Sequence, residues 1–432
     1  MKEEEQVGKD RPTVAVYLCR CDGEISQHVD LEEVAERISL LPDVRVAGVH
    51  DTLCSDDGRK FMKENRGKDN SDRVIIGACS PEILDSPLTH DLIEVGVNKY
   101  LVNQVDLREQ CAWVHSDKER ATSKAAALTR GAIQKALKQE PLEDMIFPVI
   151  GAALIVGARE PGQAAAKRIA SSGFKAYIVD DANAAVDYDV SQGTTIAGPA
   201  EGTHPPSLSD SRLEEDVTLF LRSAIETMEG GVGKWTVRVR TPEGMKCLDV
   251  GTIIMTVQPL SRASDEKKEP ATAAPTDYTR RILHMLHVGR GEDMTIRRLT
   301  KRHLPDLNRG IFVLESSMGL EGAVPAIEDA ISAADVSIAI MRKGTMSIPR
   351  IIARVEEYRC RGCGKCAEVC EYDAVSLVER DGGIRVAHID ASRCEGCGLC
   401  RVACCNGSMA LLGYTITQLL ANMMGIAEEM SV

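Results

Sequence analysis

The sequence predicts a mixed α/β protein with two α/β domains, a small cysteine-rich domain and a terminal helix. Short apolar strands alternate with amphipathic helices over residues 1–140, which favours a parallel sheet. Residues 153–181 have the order strand, glycine-bearing turn, helix and strand, which is typical of a dinucleotide-binding unit. Eight of the 15 cysteines fall in two regular runs between residues 360 and 404.

Composition and charge exclude several classes of function. The formal net charge of −13 disfavours binding to nucleic acid or to anionic membrane surfaces. No apolar run is long enough to span a bilayer, and the start MKEEEQVGKDRP lacks the apolar region of a secretory signal. We therefore expect a cytoplasmic protein, in which frequent cysteine indicates metal or redox chemistry rather than disulfides.

The two cysteine runs, CRGCGKCAEVC and CEGCGLCRVAC, both have the spacing C-x2-C-x2-C-x3-C. Three thiolates at this spacing wrap one [4Fe–4S] cube, and the fourth ligates the other cube. The alternative, a pair of zinc sites, more often joins C-x2-C to a distant C-x2-C. The two predicted ligand sets are Cys360, Cys363, Cys366 and Cys404 for the first cluster, and Cys394, Cys397, Cys400 and Cys370 for the second.

Other residues of the runs have predicted roles without being ligands. Gly362 and Gly396 are expected to let the loop backbone approach the inorganic sulfur atoms. The proline that commonly follows the fourth cysteine is replaced by Glu371 and Cys405. Because proline is not a ligand, the change affects local packing only, and we expect Cys405 to be buried.

Five further cysteines follow the predicted strands of the first α/β domain. In an open parallel sheet, ligand groups gather outside the carboxyl ends of the strands, so a third [4Fe–4S] site could form there from four of the five thiols. The alternative is that they are buried structural cysteines, which are common. The five are Cys19, Cys21, Cys54, Cys79 and Cys111.

The dinucleotide-like turn keeps only part of its fingerprint. Gly157 and Gly162 hold the first and third glycine positions, and Asp180 ends the second strand where a ribose hydroxyl would be bound. Arg159 fills the position where backbone should approach a pyrophosphate, and Glu160 adds a negative charge at the helix N-terminus. These changes favour a scaffold over an FAD site at Gly157, Gly162 and Asp180.

The chain resembles the A subunit of heterodisulfide reductases. The resemblance rests on VYLCRCDGEIS, LCSDDGRKF, IIGACSPEI and DLREQCAWVHSDKERAT in the first domain, in that order, on RGIFVLESSMGLEGAVPAIEDAISAA, and on the double cysteine run with its tail. It implies that Cys54, Cys79, Cys111 and one of Cys19 and Cys21 bind a third cluster. Residues 182–246 contain no cysteine, where the family has a C-x-x-C segment. After DYTRRILHML the chain reaches the closing segment almost directly, so we expect the second nucleotide-binding-like half to be missing.

The patterns and the resemblance together divide the chain into four parts. The expected parts are an N-terminal parallel α/β domain with a cluster (1–140), a truncated Rossmann-like domain similar to that of thioredoxin reductase (146–350), a two-cluster [4Fe–4S] ferredoxin domain (351–408) and a docking helix (409–432).

The resemblance also implies a function and partners. Family members relay electrons through clusters and a flavin in complexes with B and C subunits and with a small iron–sulfur adaptor of a hydrogenase or formate dehydrogenase. We expect this chain to be an electron-transfer subunit without a catalytic residue of its own, paired with a flavin-containing A-type paralogue. The alternatives are an A-type chain that itself carries FAD and bifurcates electrons, and a scaffold whose clusters only brace the fold.

Overall fold

The chain folds into two compact units, the first formed by Met1–Glu143 with Met409–Val432 and the second by Asp144–Ser408. The structure is a computed structural model. It describes residues 12–69, 71–181, 186–189, 194–197, 216–256, 281, 282, 285, 309–314 and 323–431.

The first unit is built on a four-stranded parallel sheet with strand order β2-β1-β3-β4. Its strands are β1 (Val14–Cys19), β2 (Val44–His50), β3 (Arg73–Ala78) and β4 (Val102–Asp106). The helices between and after them are α1 (Leu31–Ser39), α2 (Asp56–Asp69), α3 (Pro81–Glu94) and α4 (Lys118–Ala136). The predicted parallel α/β domain is therefore confirmed.

Helices cover both faces of this sheet, and β1 is buried along its whole length. Leu18 belongs to the apolar cluster on one face, whereas Tyr17 and Cys19 belong to the cluster on the other. This alternation follows from the two-residue period of a strand. The last side chains of β1 and β3, those of Cys19 and Ala78, both belong to the second of these clusters.

The fourth strand begins later than the sequence predicts. The sequence NKYLVN at residues 98–103 favours a strand, but the side chain of Asn98 accepts a hydrogen bond from the backbone N–H of Tyr100 at 3.0 Å. This bond closes a short 3₁₀ turn, Lys99–Leu101, because asparagine competes with strand pairing through such local bonds. The extended segment therefore starts at Val102.

The second unit is centred on a five-stranded parallel sheet with strand order β10-β7-β6-β14-β15. The predicted strand, turn, helix and strand of residues 153–181 form β6, α5 and β7, as expected. The strands of this sheet are β6 (Ala152–Val156), β7 (Lys175–Val179), β10 (Val217–Phe220), β14 (Thr252–Met255) and β15 (Ile311–Val313). The other strands in this part of the chain are β5 (Met145–Pro148), β8 (Val186–Asp189), β9 (Thr194–Ala197), β11 (Ala224–Gly231), β12 (Lys234–Thr241) and β13 (Gly244–Val250). The helices of the unit begin with α5 (Glu160–Ala170) and α6 (Ala323–Lys343).

An antiparallel sheet of β11, β12 and β13 precedes β14 of the parallel sheet in the chain. The apolar residues near 247–260 favour one strand, but a bend at Gly251 divides it into β13 of the antiparallel sheet and β14 of the parallel sheet. A side chain at Gly251 would place its Cβ 2.1 Å from the carbonyl oxygen of Ile150, so only glycine fits this turn. Residues 257–260 lie outside the described ranges, as does much of the cysteine-free segment 182–246.

The remainder of the second unit is the small cysteine-rich domain. Its antiparallel hairpin, β18 and β19, pairs Val375 with Ile389 through Arg380 with Ile384. Two short helices, α7 and α8, carry the middle of each cysteine run and pack against each other. The elements after α6 are β16 (Thr345–Ile348), β17 (Ala353–Val355), α7 (Lys365–Glu368), β18 (Val375–Arg380), β19 (Ile384–Ile389) and α8 (Leu399–Ala403).

The chain ends in β20 (Met409–Leu411) and helix α9 (Ile416–Glu429), the predicted terminal helix. Helix α9 packs against α4 of the same unit. Gly425 allows this close approach, since a Cβ there would lie 3.0 Å from the Cα of Gly131. This contact leaves part of the apolar surface of the helix uncovered, because Met423 and Met424 are 65% and 61% exposed.

Candidate iron–sulfur sites

The two C-terminal cysteine runs adopt the same local structure. Gly364 and Gly398 precede the two short helices α7 and α8, with left-handed φ angles of 82° and 79°. Cys366 and Cys400 lie in the first turn of these helices, and both are buried. The repeated sequence thus gives two equivalent loops, as the spacing of the cysteines predicts.

Gly362 and Gly396 are required by packing as well as by the turn. Their φ angles are +60° and +66°, and a Cβ would lie 2.4 Å from the carbonyl oxygen of Arg385 and 2.2 Å from that of Ile351, respectively. Neighbouring backbone therefore leaves no room for a side chain. The sequence suggested only an approach to inorganic sulfur, and this contact with protein backbone is a second reason for glycine.

Hydrogen-bond donors surround the cysteine sulfur atoms in both loops. Backbone N–H groups donate to the Sγ of Cys360 from Ala387 at 3.4 Å, to that of Cys370 from Ala374 at 3.3 Å and to that of Cys394 from Ala353 at 3.5 Å. The hydroxyl of Ser408 lies 3.1 Å from the Sγ of Cys404. Such donors stabilise thiolates and raise the reduction potential of a bound cluster.

The thiols of the second predicted set interact with one another. Burial raises the pKa of Cys400 to about 11, and the charges of Cys394, Cys397 and Cys370 contribute to the rise. Cys370 comes from the first run, as does Cys366, whose charge also contributes. The two runs therefore lie close together, and the exchange of fourth ligands stays a prediction. Because metals bind thiolates, a cluster assembling here must displace protons from these thiols.

The first predicted set shows the same behaviour. Burial raises the pKa of Cys366, and the nearby thiols of Cys360 and Cys363 add to this effect. Cys405, expected to be buried, is exposed, so that expectation was wrong. The reason is local: α8 ends at Ala403, and the backbone N–H of Gly407 then donates to the carbonyl oxygen of Cys404 at 3.2 Å, which places Cys405 within a tight turn.

Four of the five N-terminal cysteines lie together at the carboxyl edge of the first sheet. The Sγ of Cys19 accepts hydrogen bonds from the backbone N–H of Cys21 and of Leu53, each at 3.3 Å. The second bond brings the segment containing Cys54 against the end of β1. Burial raises the pKa of Cys79 to about 12, and the charges of Cys21 and Cys19 contribute to the rise.

Backbone strain is concentrated in the same place. Cys21 and Asp22 have φ angles of 52° and 50°, in the left-handed region that residues with side chains rarely adopt. Strain of this kind costs on the order of 1–3 kcal/mol and clusters at functional sites. The turn Cys21–Gly23 thus holds the second cysteine of the pair next to the first.

Cys111 is fully buried in the apolar cluster that contains Leu18, whereas Cys19 and Tyr17 belong to the cluster on the opposite face of the sheet. Cys21 packs against both clusters. Burial raises the pKa of Cys111 to about 11, and the charges that modify it are those of Lys124 and Asp106. The structure therefore groups four of the five sequence-predicted residues, Cys19, Cys21, Cys54 and Cys79.

Arg108 joins the N-terminal group, and no sequence pattern indicated it. Its Nη1 lies 4.0 Å from the Sγ of Cys21, and its guanidinium stacks over the ring of Trp113 at 4.8 Å. Its charge lowers the pKa of Cys79 against the larger effect of burial. A cation at this position favours the thiolate form that a cluster requires.

In the dinucleotide-like turn, the glycines and the acid that would contact a nucleotide interact with other residues of the protein. The remaining glycines are explained by packing, since a Cβ at Gly157 would lie 2.7 Å from Thr256 Oγ1 and one at Gly162 would lie 2.0 Å from the carbonyl oxygen of Gly157. The carboxylate of Asp180 accepts a 2.7 Å hydrogen bond from the backbone N–H of Ala158. The acid and a loop donor that a nucleotide would use are thus bonded to each other, which does not fit FAD well.

Another group of possible metal ligands lies on α3. His90, Asp91 and Glu94 bring their ligand atoms within 4.8 Å of one another. The buried carboxylate of Asp91, however, forms ion pairs with Arg59 and Lys63. These cations lower the pKa of Asp91 to about 2, so the group is a surface ion-pair network.

Comparison with known proteins agrees with this geometry. Residues 359–408 match the 4Fe-4S dicluster domain family. An A-subunit-like heterodisulfide reductase protein of Archaeoglobus profundus is 29% identical over 278 residues, which are 61% of this chain and 38% of that protein. The A subunit of the ferredoxin:CoB-CoM heterodisulfide reductase of Methanosarcina acetivorans is 30% identical over 238 residues, 52% of this chain and 29% of that protein. The curated relatives of this chain are thus heterodisulfide reductase A subunits.

The resemblance to heterodisulfide reductase A subunits is confirmed, over part of their length. The chain spans about a third of the curated relatives it matches, 38% and 29% in these two cases. Among solved structures, a flavoprotein/dehydrogenase from Cytophaga hutchinsonii covers 44% of this chain and 79% of its own, at 12% identity and a TM-score of 0.26. None of the helices in the described ranges is both long and apolar enough to cross a membrane.

Proposed function

We propose that this chain is an electron-relay subunit of a heterodisulfide reductase-type complex and carries three [4Fe–4S] clusters. The 4Fe-4S domain and the relatives support an iron–sulfur electron-transfer role. The observation that carries the proposal is the repeated cysteine loop with N–H donors on its sulfur atoms. Such a cube, when bound, accepts one electron and gives it up again with little structural change.

The protein residues hold, insulate and tune these carriers. Two clusters take the C-terminal ligand sets, one of Cys360, Cys363, Cys366 and Cys404 and one of Cys394, Cys397, Cys400 and Cys370. Buried Cys366 and Cys400 anchor each set from the inside, while exposed Cys363 and Cys397 face the solvent or a partner. Clusters held by these sets would supply one-electron transfer close to the exposed thiolates.

The third cluster takes Cys19, Cys21, Cys54 and Cys79 in the N-terminal unit. The hydrogen bonds that link the end of β1 to Leu53 and the mutual effect of the thiols on their pKa values support this set. Cys111 is then a core cysteine of the apolar cluster on the other face. Arg108 balances part of the negative charge of four thiolates.

The complex and the compartment belong to the same proposal. In this proposal the chain contributes no catalytic residue, and the hydrogen bond between Ala158 and Asp180 argues against bound FAD. Its partners are B- and C-type subunits, a flavin-containing A-type paralogue and a small iron–sulfur adaptor of a hydrogenase or formate dehydrogenase. The complex works in the cytoplasm.

A redox titration of the anaerobically purified chain, followed by electron paramagnetic resonance, tests the relay. We expect three reducible signals of [4Fe–4S] type, each lost in a variant of one ligand of its own set. Clusters that stay unreduced under strong reductant would contradict the relay and favour clusters that only brace the fold.

A further inference from the structure

The two C-terminal cluster loops are nearly equivalent close to the cysteines. The first cysteine of each run, Cys360 or Cys394, accepts a backbone N–H at 3.4 Å or 3.5 Å. Each is followed two residues later by a left-handed glycine backed by a carbonyl oxygen. Two clusters in such matched surroundings should have similar potentials unless something further away distinguishes them.

Arg309 is such a residue, and among the described residues its hydrogen bonds and its ion pair go to the second loop. It precedes β15 of the central sheet, and its side chain is 13% exposed. Its Nη1 donates to the carbonyl oxygen of Ser392 at 2.9 Å and its Nη2 to that of Cys394 at 2.6 Å. Its Nε forms an ion pair with Glu395 at 2.9 Å, so all three nitrogen atoms hold the segment that begins the second run.

The first loop has a different charge arrangement at the equivalent positions. The residue after its first cysteine is Arg361 instead of glutamate. The residue before it, Arg359, is 48% exposed and donates to the carbonyl oxygen of Asn406 at 3.3 Å. The buried arginine and its carboxylate partner are therefore a property of the second loop.

We propose that Arg309 is a positioning residue that fixes the second cysteine run to the central sheet and raises the reduction potential of the second cluster, against the opposing charge of Glu395. A cluster becomes more negative when it accepts an electron, so a nearby fixed cation stabilises the reduced form and an anion destabilises it. The inference rests on the proposed relay. It gives the Rossmann-like domain a role in setting the reduction potential of a cluster, in addition to its role as a scaffold.

The test uses the full chain, purified anaerobically, with Arg309→Gln, Glu395→Gln and the double variant, and measures midpoint potentials by electron paramagnetic resonance. Cys363→Ser assigns the signals, because it removes that of the first cluster. We expect the second midpoint to become more negative in Arg309→Gln, more positive in Glu395→Gln and close to the wild type in the double variant. The second midpoint in Arg309→Lys should lie between those of the wild type and Arg309→Gln, since lysine keeps the positive charge but cannot form the same set of hydrogen bonds as the guanidinium.

A control and a second variant keep the test decisive. Arg359→Gln, in the first loop, should leave the second midpoint unchanged. If Arg309→Gln loses the second cluster, Glu395→Gln still tests the sign of the effect, because its side chain is 40% exposed and its loss should not prevent folding. Reducible clusters with unchanged midpoints in the Arg309 and Glu395 variants would overturn this inference alone, whereas clusters that cannot be reduced even in the wild type would overturn the relay as well.

Discussion

The backbone N–H of Ala158 donates a hydrogen bond of 2.7 Å to the carboxylate of Asp180. In a nucleotide-binding turn this carboxylate would bind a ribose hydroxyl, and the N–H groups of the loop would face the phosphates. Here the two groups satisfy each other. Glu160 in the first turn of α5 adds a charge that repels phosphate.

The first prediction is that the purified chain contains no flavin beyond background. Asp180→Ala should lower the free energy of unfolding by about 1 kcal/mol, because it removes an acceptor from a partly buried N–H, without changing flavin content. Denaturant unfolding and acid-released flavin measure the two effects, and Asp181→Ala at the exposed neighbouring position is the control. About one flavin per wild-type chain would show that the turn still binds the cofactor.

The second prediction concerns the N-terminal ligand set. Replacing Cys79 or Cys54 by serine should lower the iron content from about twelve to about eight atoms per chain, one cube of four. Cys111→Ala should keep all the iron, because that thiol lies in the apolar cluster on the other face of the sheet. Iron analysis of the matched variants decides the assignment, and loss of four iron atoms in Cys111→Ala would return Cys111 to the set.

The third prediction separates backbone strain from packing in the cluster loops. Gly362→Ala and Gly396→Ala should each lose one cluster, because their Cβ atoms would overlap the carbonyl oxygens of Arg385 and Ile351. Gly382→Ala is the control: its φ of +83° gives similar strain, but nothing lies within 4 Å of the added Cβ. Iron content and visible absorbance measure the outcome, and equal losses in all three variants would mean that strain alone is responsible.

The fourth prediction concerns the contact between α4 and α9. Gly425→Val should lower the free energy of unfolding of the N-terminal unit by about 1–3 kcal/mol through overpacking, since even a Cβ would lie 3.0 Å from the Cα of Gly131. Met423→Ala should change it by less than about 0.5 kcal/mol, because that side chain is 65% exposed. Hydrogen exchange of α9 measures both, and a stable Gly425→Val variant would refute the close packing.

The sequence predicts the two equivalent C-terminal loops well because their residues are close together in the chain. Cys360, Cys363 and Cys366 lie within one loop, so the spacing alone brings their thiols together. The order of β6, α5 and β7 is predictable for the same reason, since adjacent segments pair. The delayed start of β4 is also local, and the hydrogen bond between the Asn98 side chain and Tyr100 could have been expected from asparagine chemistry.

The remaining features depend on contacts between distant segments. Cys19 ends one strand and Cys111 follows another strand of the same sheet, yet they belong to apolar clusters on opposite faces. The face of the sheet on which a residue packs cannot be predicted from its position near a strand end alone. Arg309 reaches a residue 85 positions away in the chain, and Arg108 approaches a cysteine 87 positions away. No local pattern carries such information.

The central claim is that this chain holds three [4Fe–4S] clusters and passes electrons through them. Its most direct test is the iron and acid-labile sulfide content of the anaerobically purified full chain, measured together with its electron uptake in a reductive titration. We predict about twelve iron atoms and about three electrons per chain, one for each cube. About eight iron atoms would contradict the N-terminal cluster, and twelve iron atoms without electron uptake would contradict the relay.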